Sequence, residues 1–209
     1  ESINKLLEVK THETVLDIDL DAIVHNYNFY RSRLNPKTKM VCMVKADGYG
    51  TGATEVAKTL QYHKCDYLAV AVAEEGVFLR KQGIKVPIIV LNSEVGGFEE
   101  LAMYALEPEV YNFRILDAFI KEAKLQGITN YPIHIKIDTG MHRLGFTEED
   151  IPELMERIKS QTGVRIQSVF SHLAASESWN FDNFTVDQIK TFKKITKEIE
   201  KNCHYQVMK

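Results

Sequence analysis

Short β-branched apolar runs alternate along this chain with longer stretches in which apolar residues recur every three or four positions. The first kind suits strands, the second amphipathic helices. The pattern predicts strands over residues 40–44, 67–72, 86–91, 106–111, 133–137 and 166–170. Between them it predicts helices over 53–62, 74–82, 98–104, 116–125 and 149–160. A last helix over 186–201 carries Ile189, Phe192, Ile195 and Ile199 on one apolar face. Gly83, Gly127 and Gly163 follow helices where a C-cap glycine belongs. Upstream, residues 15–20 alternate apolar and acidic and read as a half-exposed strand, after which Asp21 caps a helix through Leu34, with Pro36 beyond it.

A βα repeat without a composition break makes an α/β fold with a mostly parallel sheet. Its strands read as apolar nearly throughout, as strands covered on both faces do. Both a doubly wound sheet and a (β/α)8 barrel fit this order. Six strand–helix units are complete, and residues 205–208 look like a seventh strand starting. A barrel needs eight, so on the barrel reading the chain is a fragment. Residues 1–13 are polar and charged and read as a linker or N-terminal extension; residues 14–209 carry the folded domain.

Composition narrows the function classes. The 209 residues are 44% hydrophobic and 26% charged, values of a globular domain large enough to bury a core. A net charge of −3 offers no basic stripe, which argues against nucleic acid. Apolar runs such as VPIIVL are too short to cross a bilayer, and Glu1-Ser2-Ile3-Asn4-Lys5 does not read as a signal peptide. Three scattered cysteines, Cys42, Cys65 and Cys203, suit reduced thiols and a cytoplasmic location. The seven histidines show no HxxH grouping, and no metal is expected.

In parallel α/β folds chemistry collects at the carboxyl ends of strands. Those positions hold Lys45 and Tyr49, Glu74 and Glu75, Leu91, the segment Lys136 to Arg143, and Ser171-His172 with Ser176 and Glu177. Each has a structural explanation. Lys45 can snorkel to water, Tyr49 can cover the strand ends, Arg143 can pair with a surface acid and His172 can sit hydrogen-bonded in the core. Lys136 points inward with Asp138 if its strand is central, and a buried lysine needs a partner. Gly48-Tyr49-Gly50-Thr51-Gly52-Ala53 fits the dinucleotide pattern G-x-G-x-x-A. The acid that pattern requires is misplaced, because Asp66 precedes its strand and Glu74 comes late. A phosphate loop of the Walker type fails too, since the lysine precedes the glycines.

The set makes sense around Schiff-base chemistry, whose nucleophile is a free lysine amine. Pyridoxal phosphate would use Lys45. Its phosphate would need donors such as the Tyr49 hydroxyl, Arg143 would meet its ring oxygen or a substrate carboxylate, and the His172 ring could pack on the pyridine. The glycines after Lys45 would let the turn approach the cofactor closely.

These residues resemble those of the alanine racemases. Val44-Lys45-Ala46-Asp47-Gly48-Tyr49-Gly50-Thr51-Gly52 resembles that family's VKANAYGHG signature. Lys136 to Gly145, KIDTGMHRLG, resembles its K-x-DTGM-x-R-x-G segment, and Ser171-His172-Leu173-Ala174 its THFA segment. Residues 16–22 resemble the EIDLDAL entry to the domain. The resemblance implies a (β/α)8 TIM-type barrel holding pyridoxal 5'-phosphate, here truncated after about six βα units, with a following β domain absent. The full-length enzyme is then a homodimer that interconverts L- and D-alanine for peptidoglycan synthesis by a two-base mechanism.

By position, the resemblance makes Lys45 the Schiff-base lysine and one of the two bases. It places Tyr49 on the phosphate, Leu91 near the cofactor, His172 on its ring, and Arg143 on the pyridoxal oxygen and the substrate carboxylate. Lys136 matches a lysine that carries a carbamate in some members; a Lys136–Asp138 ion pair is the alternative. Asp47, Gly48 and Thr51 depart from the signature without touching the lysine or tyrosine. The second base, a tyrosine of the partner's other domain, is not in this sequence, so the chain alone is expected to be inactive. The polar start would also suit a linker behind a fused peptidoglycan precursor ligase. A racemase for another small amino acid such as serine, and a non-catalytic pyridoxal-phosphate-binding barrel, are the alternatives.

Overall fold

A computed structural model describes residues 14–209; the expected linker, residues 1–13, lies outside the described residues. Helix α1 (Leu20–Arg33) leads into β1 (Val41–Met43), a short turn α2 (Lys45–Gly50) and α3 (Ala53–Tyr62). There follow β2 (Tyr67–Val70), α4 (Ala73–Lys81), β3 (Ile88–Val90), α5 (Phe98–Met103), β4 (Leu106–Val110) and α6 (Phe113–Leu125). The chain closes with β5 (Tyr131–Lys136), α7 (Ile151–Lys159), β6 (Val164–Phe170) and α8 (Asp182–Asn202).

All six strands are parallel and lie in the order β1-β2-β3-β4-β5-β6. A doubly wound sheet reverses its order at a switch point; this sheet never does. It also curls. Four strand spacings of about 4.8 Å would part β2 from β6 by about 19 Å in a flat sheet, yet Gln167 Nε2 donates to the Tyr67 hydroxyl at 3.2 Å. The arc is therefore that of a (β/α)8 barrel. Met208 makes a parallel bridge beside Ser168 and packs on Tyr67, Ala69 and Ile89, so of the expected seventh strand Met208 lies at the next barrel position.

Alternation sorts side chains onto two faces. The outer face carries Leu68, Val70, Ile88, Val90, Leu106, Val110, Ile133 and Ile135, all buried with helix residues such as Leu79, Leu116, Phe119 and Leu154. The inner face is apolar along β2 and β3 but polar further round, where Glu107, Glu109, His134 and Lys136 project inward. His134 Nε2 lies 2.8 Å from Glu107 and its Nδ1 lies 2.6 Å from Ser168 Oγ. Near-continuous apolar strands were expected; β4, Leu-Glu-Pro-Glu-Val, departs from that.

Three further expectations are corrected. Residues 15–20 form no strand: Val15 and Leu16 are exposed and no strand among the described residues pairs with them. The first helix is capped by Asp19, whose Oδ1 accepts from Ala22 N at 3.0 Å, while Asp21 sits in its first turn, where a negative charge favours the dipole. Gly163 has no positive φ; a Cβ there would stand 2.8 Å from Ala123 Cβ, so this glycine serves close packing.

Candidate active site

Lys45 follows β1 at its carboxyl end and opens a turn wound the wrong way. Ala46, Asp47, Gly48 and Tyr49 all take left-handed helical angles, with φ of 51, 52, 63 and 58°. For the three that carry a Cβ this costs about 1–2 kcal/mol each. The turn is held by specific bonds. Gly48 N donates to Val44 O at 3.0 Å and Gly52 N to Asp47 O at 3.0 Å. The Asp47 carboxylate accepts from Ala53 N at 2.8 Å, which starts α3. Glu75 reaches across from α4: one oxygen accepts from Ala46 N and the other from Ala71 N, both at 2.7 Å. Gly48 is buried against Thr51 and Ala53, and Gly50 and Gly52 also have positive φ, so the glycines are fixed by backbone handedness and packing.

Glu75 had been noted at a strand end without a role; it is the brace of the Lys45 turn. Glu75→Ala is expected to cost about 1.5–3 kcal/mol, since two amides lose a charged acceptor. Faster hydrogen exchange at the Ala46 amide than in the parent would show it. Unchanged exchange there would mean the turn does not depend on Glu75.

Lys45 Nζ lies 6.0 Å from the Tyr49 ring centroid and joins no ion pair among the described residues. Tyr49 is 64% exposed, with its hydroxyl free to meet a ligand. Leu91 ends β3 half-buried and packs on the inner cluster of Tyr67, Ala69 and Ile89. Leu91 marks the apolar side of the barrel mouth.

The polar side is built by the loop after β5. Phe146 N donates to Lys136 O and Asp138 N to Phe146 O, each at 2.9 Å, closing residues 137–146 into a clasp. Asp138 Oδ1 accepts from Gly140 N at 2.9 Å and His142 N at 3.0 Å, and its other oxygen meets His142 Nδ1 at 3.1 Å. Burial alone would raise this carboxyl, but the two backbone donors and His142 hold it below the usual range. Asp138 is thus committed to shaping the loop. Arg143 follows on the exposed rim. The buried Gln188 of α8 couples this loop to the next, donating to Thr139 Oγ1 at 3.1 Å and to His172 O at 3.0 Å. His172 itself is exposed.

Lys136 is buried, as expected, but its partner is Glu109 of β4, 3.1 Å away, and not Asp138. Burial pushes the Glu109 carboxyl up, while Lys136 first and then Arg143 pull it back. The sequence reading missed Glu109; its signal was the acid at every second position of β4.

Lys45, Tyr49, Leu91, Lys136, Arg143 and His172 thus all stand at or just after the carboxyl ends of β1, β3, β5 and β6. Lys45 and Tyr49 lie together, Lys136 pairs with Glu109, and Leu91, Arg143 and His172 approach separately. Neither of two surface clefts, of about 350 Å³ beside Glu74 and Phe78 and about 450 Å³ beside Ser93 and Arg114, is lined by any of them. The candidate site is the open mouth of the barrel, with an amine, a phenol, a guanidinium and an imidazole along its rim. Such a donor set fits an anionic aromatic aldehyde.

Fold and mouth together define a parallel βα barrel with a lysine at the end of its first strand that forms no ion pair among the described residues. The chain belongs to the alanine racemase family: residues 18–208 match the family described as alanine racemase, N-terminal domain. It is 38% identical over 183 residues to an alanine racemase of Thermodesulfovibrio yellowstonii, covering 86% of this chain and 48% of that protein. It is 36% identical over 196 residues to alanine racemase 2 of Caldanaerobacter subterraneus, covering 90% and 48%. The solved alanine racemase of Clostridium difficile 630 superposes with a TM-score of 0.83 at 31% identity, covering 90% of this chain and 51% of that one. The chain spans about half the length of the curated relatives it matches. Among the described residues no helix is long and apolar enough to cross a membrane.

Proposed function

We propose that this chain is the barrel part of a pyridoxal-phosphate-dependent racemase that interconverts L- and D-alanine. The observation that carries the reading is Lys45, an amine with no ion-pair partner among the described residues, placed by a braced turn at the mouth of a barrel of this family. When bound, the cofactor would supply the electron sink that stabilises negative charge at the substrate Cα. Lys45 would hold it and move a proton at Nζ on one face of that carbon. The Tyr49 hydroxyl would bind its phosphate, Leu91 would wall its ring, and the His172 imidazole would pack against it. Arg143 would hold the ring oxygen and orient the substrate carboxylate. The opposite face would be served by a base from a partner subunit, which makes the working enzyme a homodimer. Supply of D-alanine for cell-wall synthesis, in the cytoplasm, is the role that follows.

The whole native gene product, supplied with pyridoxal phosphate and L-alanine, is expected to form D-alanine until the two enantiomers are equal, followed by chiral chromatography. Serine in place of alanine should turn over far more slowly. No racemisation of either amino acid by cofactor-loaded protein would refute the enzymatic reading, and faster turnover of serine would reassign the substrate.

A further inference from the structure

Gln188 lies on the second turn of α8, is 1% exposed, and has both ends of its amide engaged. Nε2 donates to Thr139 Oγ1 at 3.1 Å in the loop after β5 and to His172 O at 3.0 Å in the segment after β6. Oε1 accepts from Ala174 N at 3.0 Å. A backbone N–H only donates and a carbonyl only accepts, so the amide has one orientation. Turned over, it would set donor against donor at Ala174 and acceptor against acceptor at His172. The direction carries on. Thr139 Oγ1 lies 2.8 Å from Ser171 Oγ, and the Ser171 hydroxyl donates its one proton to Ile137 O at 2.8 Å. Thr139 is therefore the donor to Ser171, and a series of bonds runs one way from α8 through both loops to the residue just past β5. Phe184, four residues before Gln188 on the same helix face, has its ring 3.2 Å from where a Cβ on Gly140 would stand. The Lys45 turn takes its bonds from Glu75 and Asp47 instead, and none of this series reaches it.

We propose that Gln188 is a positioning residue that ties the loop carrying Arg143 and the segment carrying His172 to α8 as one unit. The mouth then consists of two separately braced halves. Glu75 braces the half that attaches the cofactor at Lys45, and Gln188 braces the half that orients the substrate. The ligand roles of these halves rest on the function proposed above; their separate bracing does not. A buried polar network is rigid while every member is satisfied, and removing one member strands the others. Without the Gln188 amide, the Ala174 N–H and the His172 carbonyl lose their partners and the Thr139 hydroxyl loses its donor. Both loops lose their common anchor, and Gln188 acts on the substrate only through them.

Hydrogen exchange in the whole gene product tests the two halves without cofactor or substrate. Ala174 N reports the His172 segment, and Gly140 N and His142 N, both bonded to Asp138 Oδ1, report the Arg143 loop. In Gln188→Met all three amides are expected to exchange at least about fivefold faster, as the loss of two or more hydrogen bonds implies. Ala46 N, in the Lys45 turn, should keep the parent's rate. Faster exchange at Ala174 alone would overturn the proposal, because the Arg143 loop would then stand without Gln188. Faster exchange at Ala46 would overturn it too, by joining the halves. Thr139→Val keeps the side-chain shape and cuts only the branch to the Arg143 loop. It should speed Gly140 and His142 whether or not Gln188→Met folds, and unchanged rates there would refute the tie. In the cofactor-loaded protein, Gln188→Met should keep the visible band and the borohydride label on Lys45, while KM for alanine rises by a larger factor than kcat falls. Loss of the band in folded protein, or an unchanged KM, would count against separate halves. A protein that racemises nothing still gives the exchange rates, so failure of the functional reading and failure of this inference are distinguishable.

Discussion

Lys45→Ala is expected to abolish the proposed racemisation while leaving the fold intact. The two halves of that expectation come from different observations. Lys45 forms no ion pair among the described residues, and its one aromatic neighbour, Tyr49, is 6.0 Å away. Its removal should therefore change the unfolding free energy, read from urea denaturation, by no more than about 0.5 kcal/mol. The turn that follows is held by Glu75, Asp47 and backbone bonds, none of which uses the Lys45 amine. For the proposed reaction the same amine is both the attachment point of the cofactor and a base. Loss of a base alone lowers turnover about 10²–10⁴-fold, and loss of attachment adds to it. In the whole gene product the visible band formed with pyridoxal phosphate should disappear in Lys45→Ala, and borohydride should no longer label the segment that contains it. Lys45→Arg should behave alike, because a guanidinium stays protonated and is no nucleophile at neutral pH. A variant that keeps its band and its label would mean that another lysine is the attachment point.

The βα order was legible because outer-face positions of the strands are apolar at a period of two and helix faces at 3.6, both local signals. All six strands lie where the periodicity placed them, and the family resemblance fixed the barrel. What was not legible depends on residues far apart in sequence. Barrel curvature shows in Tyr67 meeting Gln167, 100 positions later. Three glycines announced a turn after Lys45, but not that Ala46, Asp47 and Tyr49 would share its left-handed winding, which Glu75 braces from the next helix. Asp138 was the natural partner for Lys136, two residues along on the same face. The loop claims Asp138 instead, and Glu109, whose ladder partner is His134, reaches Lys136 diagonally from the neighbouring strand. The alternation that misled at residues 15–20 lacked the one thing a strand needs, a pairing neighbour among the described residues.

The largest stability effect should come from Gly145→Ala, two residues from Arg143. Gly145 has a φ of +133°, and a Cβ there would lie 2.5 Å from Asp138 N and 2.7 Å from Ile137 C. Both are backbone atoms, so no side chain can swing away. The clasp must open instead, breaking Asp138 N to Phe146 O and Phe146 N to Lys136 O. Phe146 is buried with its ring 5.0 Å from that of Phe113, so opening also disturbs the core. Strain of about 1–3 kcal/mol at such a φ and about 1–3 kcal/mol for overpacking would take a large part of the roughly 5–15 kcal/mol that a domain possesses. Gly140→Ala supplies the control within the same loop. Its φ is +135°, almost the same, but its Cβ would meet only the Phe184 ring at 3.2 Å and Gln188 Cγ at 3.9 Å, which are side-chain atoms that can give. Backbone strain is therefore common to both variants, and the difference between their urea midpoints isolates the close approach of Gly145 to the end of β5. Gly145→Ala should lose at least about 1 kcal/mol more than Gly140→Ala, in keeping with the cost of overpacking. Equal losses would show that conformation alone selects glycine at residue 145.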